Sequence, residues 1–243
     1  MKRYFIVGLL VFLGFAIRLA PADILDRLLT TNTPAKLIRT QGTLWQGHGE
    51  LLFAQTNIGK VTWHFQPSAL FRAIAKYSWT LNQSEWQLAG IAGVTFSHVQ
   101  FEVDGNVTQD MLNRFLQPYD IDLQGGIEIS PTRLTIELET ERVQELEGQI
   151  DWQGGRVRYT LSGLLRETIL PPMTGYLSIN DNGQPQAIVY AQNQQTPLII
   201  ASLEANGYAK IGITKLFTKL LNNPWPGSDP DHTIVLQVEE KII

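Results

Sequence analysis

Beyond residue 42 the chain is written largely in alternation with a period of two, the pattern of strands with one buried face. Val99, Phe101 and Val103 alternate with Gln100, Glu102 and Asp104. Leu134, Ile136 and Leu138 alternate with Thr135, Glu137 and Glu139. Val157, Tyr159 and Leu161 repeat the pattern against Arg156, Arg158 and Thr160, and Ile234, Leu236 and Val238 repeat it near the end. Between such runs stand Gly125-Gly126, Gly154-Gly155, Asp181-Asn182-Gly183 and Ala205-Asn206-Gly207. Glycine and asparagine tolerate the positive φ of tight turns, so these four are expected to be hairpin turns. No strand–helix–strand rhythm is visible, which argues against a parallel sheet.

Helical periodicity is confined to short stretches. Asp23 to Leu37 carries Ile24, Leu25, Leu28 and Leu29 at helical spacing and is broken by Thr30 to Pro34. Ser68 to Ala75 follows Pro67, Thr108 to Leu116 opens on an N-cap residue, and Thr214 to Leu221 stops at Asn222-Asn223-Pro224. The expected fold is mainly β: an N-terminal transmembrane helix, then a long, curved antiparallel sheet or meander with a few short helices.

The N-terminal prediction rests on a separate pattern. Lys2 and Arg3 precede an uncharged run from Tyr4 to Ile17, with Tyr4, Phe5, Leu9, Leu10, Phe12, Phe15 and Ile17 as its bulky members. Fourteen residues suit a signal-peptide core, and Ala20-Pro21-Ala22 resembles a cleavage site. Counted through Ala22, however, a helix would be about 28 Å long, close to the hydrocarbon thickness of a bilayer. Arg18 would then snorkel to the interface, and the uncleaved anchor is the preferred reading. Lys2 and Arg3 orient the N-terminus to the cytoplasm and the rest to the periplasm. The domain reading is residues 1–22 as cytoplasmic stub and anchor, 23–41 as neck, and 42–243 as periplasmic β-rich domain. An echo between Gly42-Thr43-Leu44-Trp45-Gln46-Gly47 and Gly148-Gln149-Ile150-Asp151-Trp152-Gln153-Gly154 raises two related halves, about 42–124 and 125–243.

Charge narrows the partners. The formal net charge of −4 becomes −7 once the first 22 residues, with three cations and no acid, are set aside. From Glu102 to Asp151 there are 12 acids against Arg114, Arg133 and Arg142. Such a surface repels phosphate backbones, so no nucleic-acid partner is expected. It suits a solvated periplasmic face or a basic protein partner.

Candidate chemistry is sparse. Without cysteine there is neither a disulfide nor a thiolate site. His48, His64, His98 and His232 are scattered without metal-ligand spacing. No nucleophile elbow, phosphate loop or dinucleotide fingerprint is present. Glu137, Glu139 and Glu141 share a strand face without an opposing partner, which reads as solvent coverage. No catalytic, cofactor or metal residue is assigned, and the protein is read as non-enzymatic. The tryptophans carry more information: Trp45, Trp63, Trp79 and Trp152 lie in strand-like text and are read either as core or as the lining of an apolar groove.

Several segments resemble a known family. They are Gly42-Thr43-Leu44-Trp45-Gln46-Gly47, the Trp63 to Leu70 stretch, Ile129-Ser130-Pro131-Thr132-Arg133-Leu134, and Leu170-Pro171-Pro172-Met173-Thr174-Gly175. The tail adds Asn223-Pro224-Trp225-Pro226-Gly227-Ser228-Asp229-Pro230-Asp231 and Val235 to Lys241. With the short anchor ending in Ala20-Pro21-Ala22, the chain is similar to the type II secretion system protein N family. The resemblance implies a single-span inner-membrane accessory component, a scaffold or assembly factor, whose partners are other inner-membrane and secretin proteins of that machine. It carries no catalytic residues and no cofactor. The alternative is a periplasmic lipid-binding or lipid-transfer β-groove protein, with lipid held against the tryptophans.

Overall fold

In a computed structural model, the structure describes residues 12, 15, 18–32, 35–53, 56–161 and 163–241. The chain divides into two compact units, residues 1–95 and 96–243. Both are mainly β and antiparallel, with few short helices.

The N-terminal unit begins with helix α1 (Asp23–Asn32), followed by β1 (Ala35–Gly42), β2 (Gln46–Phe53) and β3 (Thr56–Phe65). A 3-10 turn (Pro67–Arg72) then leads to β4 (Ala75–Gln83) and β5 (Trp86–Val94). Each strand pairs with the next. Because side chains alternate across a strand, the register sorts them into two faces. Leu37, Leu51, Val61, Trp63, Phe65, Tyr77, Trp79 and Leu81 fall on one face. Lys60, Thr62, His64, Ser78, Thr80 and Asn82 fall on the other, where the Thr62 and Thr80 hydroxyls meet at 2.5 Å. Leu37, Trp63, Phe65 and Leu81 are buried.

Residues 35–41, read from sequence as part of a neck, belong to strand β1 of this sheet. Helix α1 is stitched to it: Asp26 Oδ1 accepts from the Leu37 amide at 2.8 Å, and Asp23 Oδ1 accepts from the Thr40 hydroxyl at 2.5 Å. Ahead of the helix, Ala20 O accepts from the Leu44 amide at 2.8 Å, Pro21 bridges to Thr43, and Ala22 is buried.

The anchor assignment lies mostly outside the described residues, which exclude Tyr4, Phe5, Leu9, Leu10 and Ile17. Phe12, Phe15 and Arg18 are helical and exposed. Among the described residues no helix is long and apolar enough to cross a membrane.

The C-terminal unit runs β6 (His98–Val107), helix α2 (Gln109–Leu116), a 3-10 turn (Gln117–Tyr119), β7 (Ile121–Leu123), β8 (Ile127–Glu137) and β9 (Val143–Trp152). Then come β10 (Gly155–Leu161), β11 (Leu164–Leu170), β12 (Met173–Ile179), β13 (Pro185–Ala191), β14 (Ile199–Leu203) and β15 (Tyr208–Thr214). Helix α3 (Lys215–Leu220) and β16 (Ile234–Lys241) close it. Its large sheet has the order β6-β8-β9-β12-β13-β14-β15-β16, and a small one has the order β11-β10-β7. Val157, Tyr159 and Leu170 of the small sheet pack with Met173, Ala191 and Leu198, and Leu216, Phe217 and Leu220 of α3 lie against this cluster. The small sheet also caps α3, whose last carbonyls lack intrahelical donors. The Tyr159 hydroxyl donates to Leu221 O at 2.7 Å, and the Thr168 hydroxyl donates to Leu220 O at 3.3 Å.

Two of the four expected hairpins are found. Asp181-Asn182-Gly183 joins β12 to β13, and Ala205-Asn206-Gly207 joins β14 to β15. The two glycine pairs do something else. Gly125-Gly126 carries the chain from β7 in the small sheet to β8 in the large one, and Gly154-Gly155 carries it from β9 to β10. They are corners between sheets, because the partner of β7 is β10, more than thirty residues away. Pro171-Pro172 makes the third passage, and the backbones crowd there. A Cβ on Gly154 would lie 2.6 Å from Pro172 N.

Candidate interaction surfaces

The tryptophans are placed unequally. Trp63 is buried, and its indole NH donates to Thr43 O at 3.1 Å. Across the ladder it stands between Gly47 and Trp79, and Trp79 in turn faces Gly90. The indole occupies the space that a side chain at Gly47 would need, since a Cβ there would lie 2.6 Å from the Trp63 Cζ2 atom. Trp45 packs edge-on to Phe65, with ring centroids 4.9 Å apart. Trp45, Trp63 and Trp79 thus belong to the N-terminal unit, whereas Trp152 ends β9 in the other and donates to Gln124 O at 3.0 Å.

The tail motif wraps around α3. Lys215, at the first position of the helix, is only 5% exposed. Its ammonium donates to Gly227 O at 2.6 Å and Asp229 O at 3.0 Å, so the buried charge is held by carbonyl dipoles. The Trp225 amide donates to the Thr218 hydroxyl, and Lys219 pairs with Asp231. Pro224, Pro226 and Pro230 punctuate the loop between α3 and β16, and Thr233 O accepts from the Lys215 amide at 2.9 Å. The motif therefore fastens the last strand. Sequence reasoning missed Lys215, whose helical spacing gave no hint of burial.

Edge strands present the most accessible apolar rows. In β16, Leu236 and Val238 share a face and are exposed, although alternation predicts that face to be covered, and a register shift sets the exposed Ile234 opposite Thr214 instead. In β11, Leu165 is 72% and Ile169 81% exposed. Unpaired strand edges template further pairing, and apolar side chains beside them supply affinity.

The polar groups are organised in small surface networks. Arg133 lies 3.6 Å from Glu102 and 3.7 Å from Glu145, and Arg158 lies 3.3 Å from Asp122, so part of the acidic surplus is locally matched. The hydrogen bond to Glu204 first, against some desolvation, and then the charges of Glu204 and Glu239 raise the pKa of the Lys210 ammonium above its ordinary value. The His98 ring is bracketed by the Ser97 hydroxyl at 2.7 Å and the Gln144 amide oxygen at 2.9 Å. Among the described residues no group of three or more histidines and acids is placed to hold a metal ion.

Tyr119 provides a pH test of the edge. Its hydroxyl donates to both Glu240 oxygens at 2.6 Å, tying the turn after α2 to β16. That hydrogen bond, then desolvation and the carboxylate charge, raises the phenol above its ordinary value of 10.0. A raised folded value means that the tie stabilises below the ordinary range and is lost as pH climbs through the raised value. Tyr119→Phe should therefore lower the urea midpoint slightly at neutral pH and leave it unchanged at alkaline pH above that value. An equal loss at both would contradict the assignment.

The chain matches the family model described as type II secretion system (T2SS), protein N, over residues 35–220. It belongs to the type II secretion system protein N family. The match begins at β1 and ends with α3, so it takes in strands of both units, while the tail Pro224 to Pro230 lies beyond it. Comparisons with curated proteins and with solved structures give no match. Membership of the protein N family makes the chain a component of type II secretion, places it in the cell envelope and implies association with other components of the machine.

Proposed function

We propose that this protein N family member is a non-enzymatic scaffold or assembly factor of type II secretion, anchored in the inner membrane by the uncharged run of residues 4–17 and working in the periplasm. The observation that carries the reading is the family match over residues 35–220. The uncharged run from Tyr4 to Ile17 behind Lys2 and Arg3 supports the anchor and its orientation. The exposed apolar rows of β16 and β11 support a scaffold that recruits partner strands by edge pairing. The partners are other inner-membrane and secretin components. No comparable observation favours the lipid-carrier alternative, because Trp63 already fills the space above Gly47.

Deletion of the gene tests the reading. Secretion of type II substrates should fall, with substrates accumulating in the periplasm and envelope lipids unchanged. Normal secretion from the deletion strain would contradict the scaffold role, and altered lipids with intact secretion would favour a lipid carrier.

A further inference from the structure

One end of the N-terminal unit collects features that an aqueous surface does not explain. The pairings of Gln46 with His64 and Phe65 with Tyr77 bring the start of β2, the end of β3 and the start of β4 together. The 3-10 turn Pro67–Arg72 caps this end. Phe71 is 94% exposed and Leu70 54% exposed there, beside an exposed Arg72. Backbone hydrogen bonds define the turn. The Ala73 amide donates to Leu70 O at 2.9 Å, the Ile74 amide to Ala69 O at 3.2 Å and the Ala69 amide to Gln66 O at 3.1 Å. At the opposite end the β4–β5 hairpin tip is polar, with Ser84 and Glu85, and the large apolar group exposed near it is the half-exposed Phe53.

The chain enters the unit at the same end as the apolar turn. The Leu44 amide binds Ala20 O, and Pro21 bridges to Thr43, in the loop directly before β2. The uncharged run ends at Ile17, three residues before Ala20. Three residues span at most about 10 Å of extended chain. The headgroup layer on each side of a bilayer is about 5–7 Å thick. If the run lies in the bilayer, this end of the unit cannot stand clear of the lipid surface.

We propose that the Pro67–Arg72 turn docks on the periplasmic leaflet beside the anchor. Phe71 and Leu70 enter the boundary between headgroups and acyl chains, and Arg72 faces the lipid phosphates. The occupant of the apolar tip is thus the membrane itself. The inference rests on the anchor reading given under the proposed function. It adds that the unit has a fixed attitude to the membrane, with the β4–β5 hairpin tip pointing away from it.

The absence of cysteine makes the test direct. The full chain is reconstituted in vesicles of phosphatidylethanolamine and phosphatidylglycerol as Ser68→Cys or Ser84→Cys, each labelled with an environment-sensitive fluorophore. Ser68 lies in the turn and Ser84 at the hairpin tip, and both are exposed. The label at position 68 should emit to the blue and lose intensity with lipids spin-labelled near the headgroup, while the label at 84 does neither. Adding Leu70→Ser and Phe71→Ser should abolish the quenching at 68 without moving the unfolding midpoint. Equal, water-like emission at both positions from protein that resists alkaline carbonate extraction would overturn the docking and leave the anchor standing. A blue shift at 68 without lipid quenching would assign the tip to a protein partner and also overturn it. Extraction of the protein by carbonate would instead remove the anchor reading, and the docking with it.

Discussion

Replacing Trp63 by alanine should destabilise the N-terminal unit by about 3–5 kcal/mol, the range for deleting a large buried aromatic. The side chain is 7% exposed, and its ring covers Gly47, faces Trp79 across the ladder and adjoins Phe65 along β3. Nothing can flow into the vacated space from Gly47, which has no side chain. The substitution also removes the donor to Thr43 O. Trp63→Phe should cost less, because it keeps most of the packing and loses chiefly that hydrogen bond, worth about 1 kcal/mol. Urea unfolding followed by near-ultraviolet circular dichroism measures both. A loss below about 1 kcal/mol for the alanine variant would mean that the ring lines an open groove, reviving the lipid-carrier reading.

Gly154→Ala should be strongly damaging to the C-terminal unit, because it combines backbone strain with a close backbone clash. The residue has φ of +80°, and the added Cβ would lie 2.6 Å from Pro172 N, 2.8 Å from Pro171 C and 2.9 Å from Leu170 O. Left-handed strain accounts for about 1–2 kcal/mol and overpacking for about 1–3 kcal/mol more. Gly163→Ala separates the two effects: its φ is +76°, but nothing lies within 4 Å of the added Cβ. Thermal denaturation should show a clearly larger fall in Tm for Gly154→Ala than for Gly163→Ala. Equal falls would mean that the corner between the sheets yields easily.

The comparison of sequence with structure turns on what local pattern can encode. Alternation identified the strands and, for Val157 and Tyr159, the buried face. Asn-Gly chemistry identified the hairpins after β12 and β14, because a two-stranded turn is a local object. The same chemistry misled at Gly125-Gly126 and Gly154-Gly155. A positive φ serves a sheet-changing corner as well as a hairpin, and only the remote pairing of β7 with β10 distinguishes them. Alternation in β16 put Ile234, Leu236 and Val238 on one covered face, but a register shift pairs Ile234 with Thr214 and Leu236 with Ile213, on opposite faces, and all three side chains stay exposed. The tail motif was recognisable only by resemblance, since the lysine it surrounds looks like any polar helix residue until Gly227 O and Asp229 O are seen at its ammonium. The tip at Leu70 and Phe71 was hidden for the opposite reason: its apolar spacing reads as a buried helix face.

The central claim is that a tethered β-protein stands on the periplasmic side of the inner membrane, and cysteine accessibility in spheroplasts measures it most directly. Ser84→Cys should react with a membrane-impermeant maleimide while the inner membrane is intact, and Lys2→Cys should react only after it is permeabilised. Protection of residue 84 until permeabilisation, or recovery of the protein with the cytosol, would contradict the account.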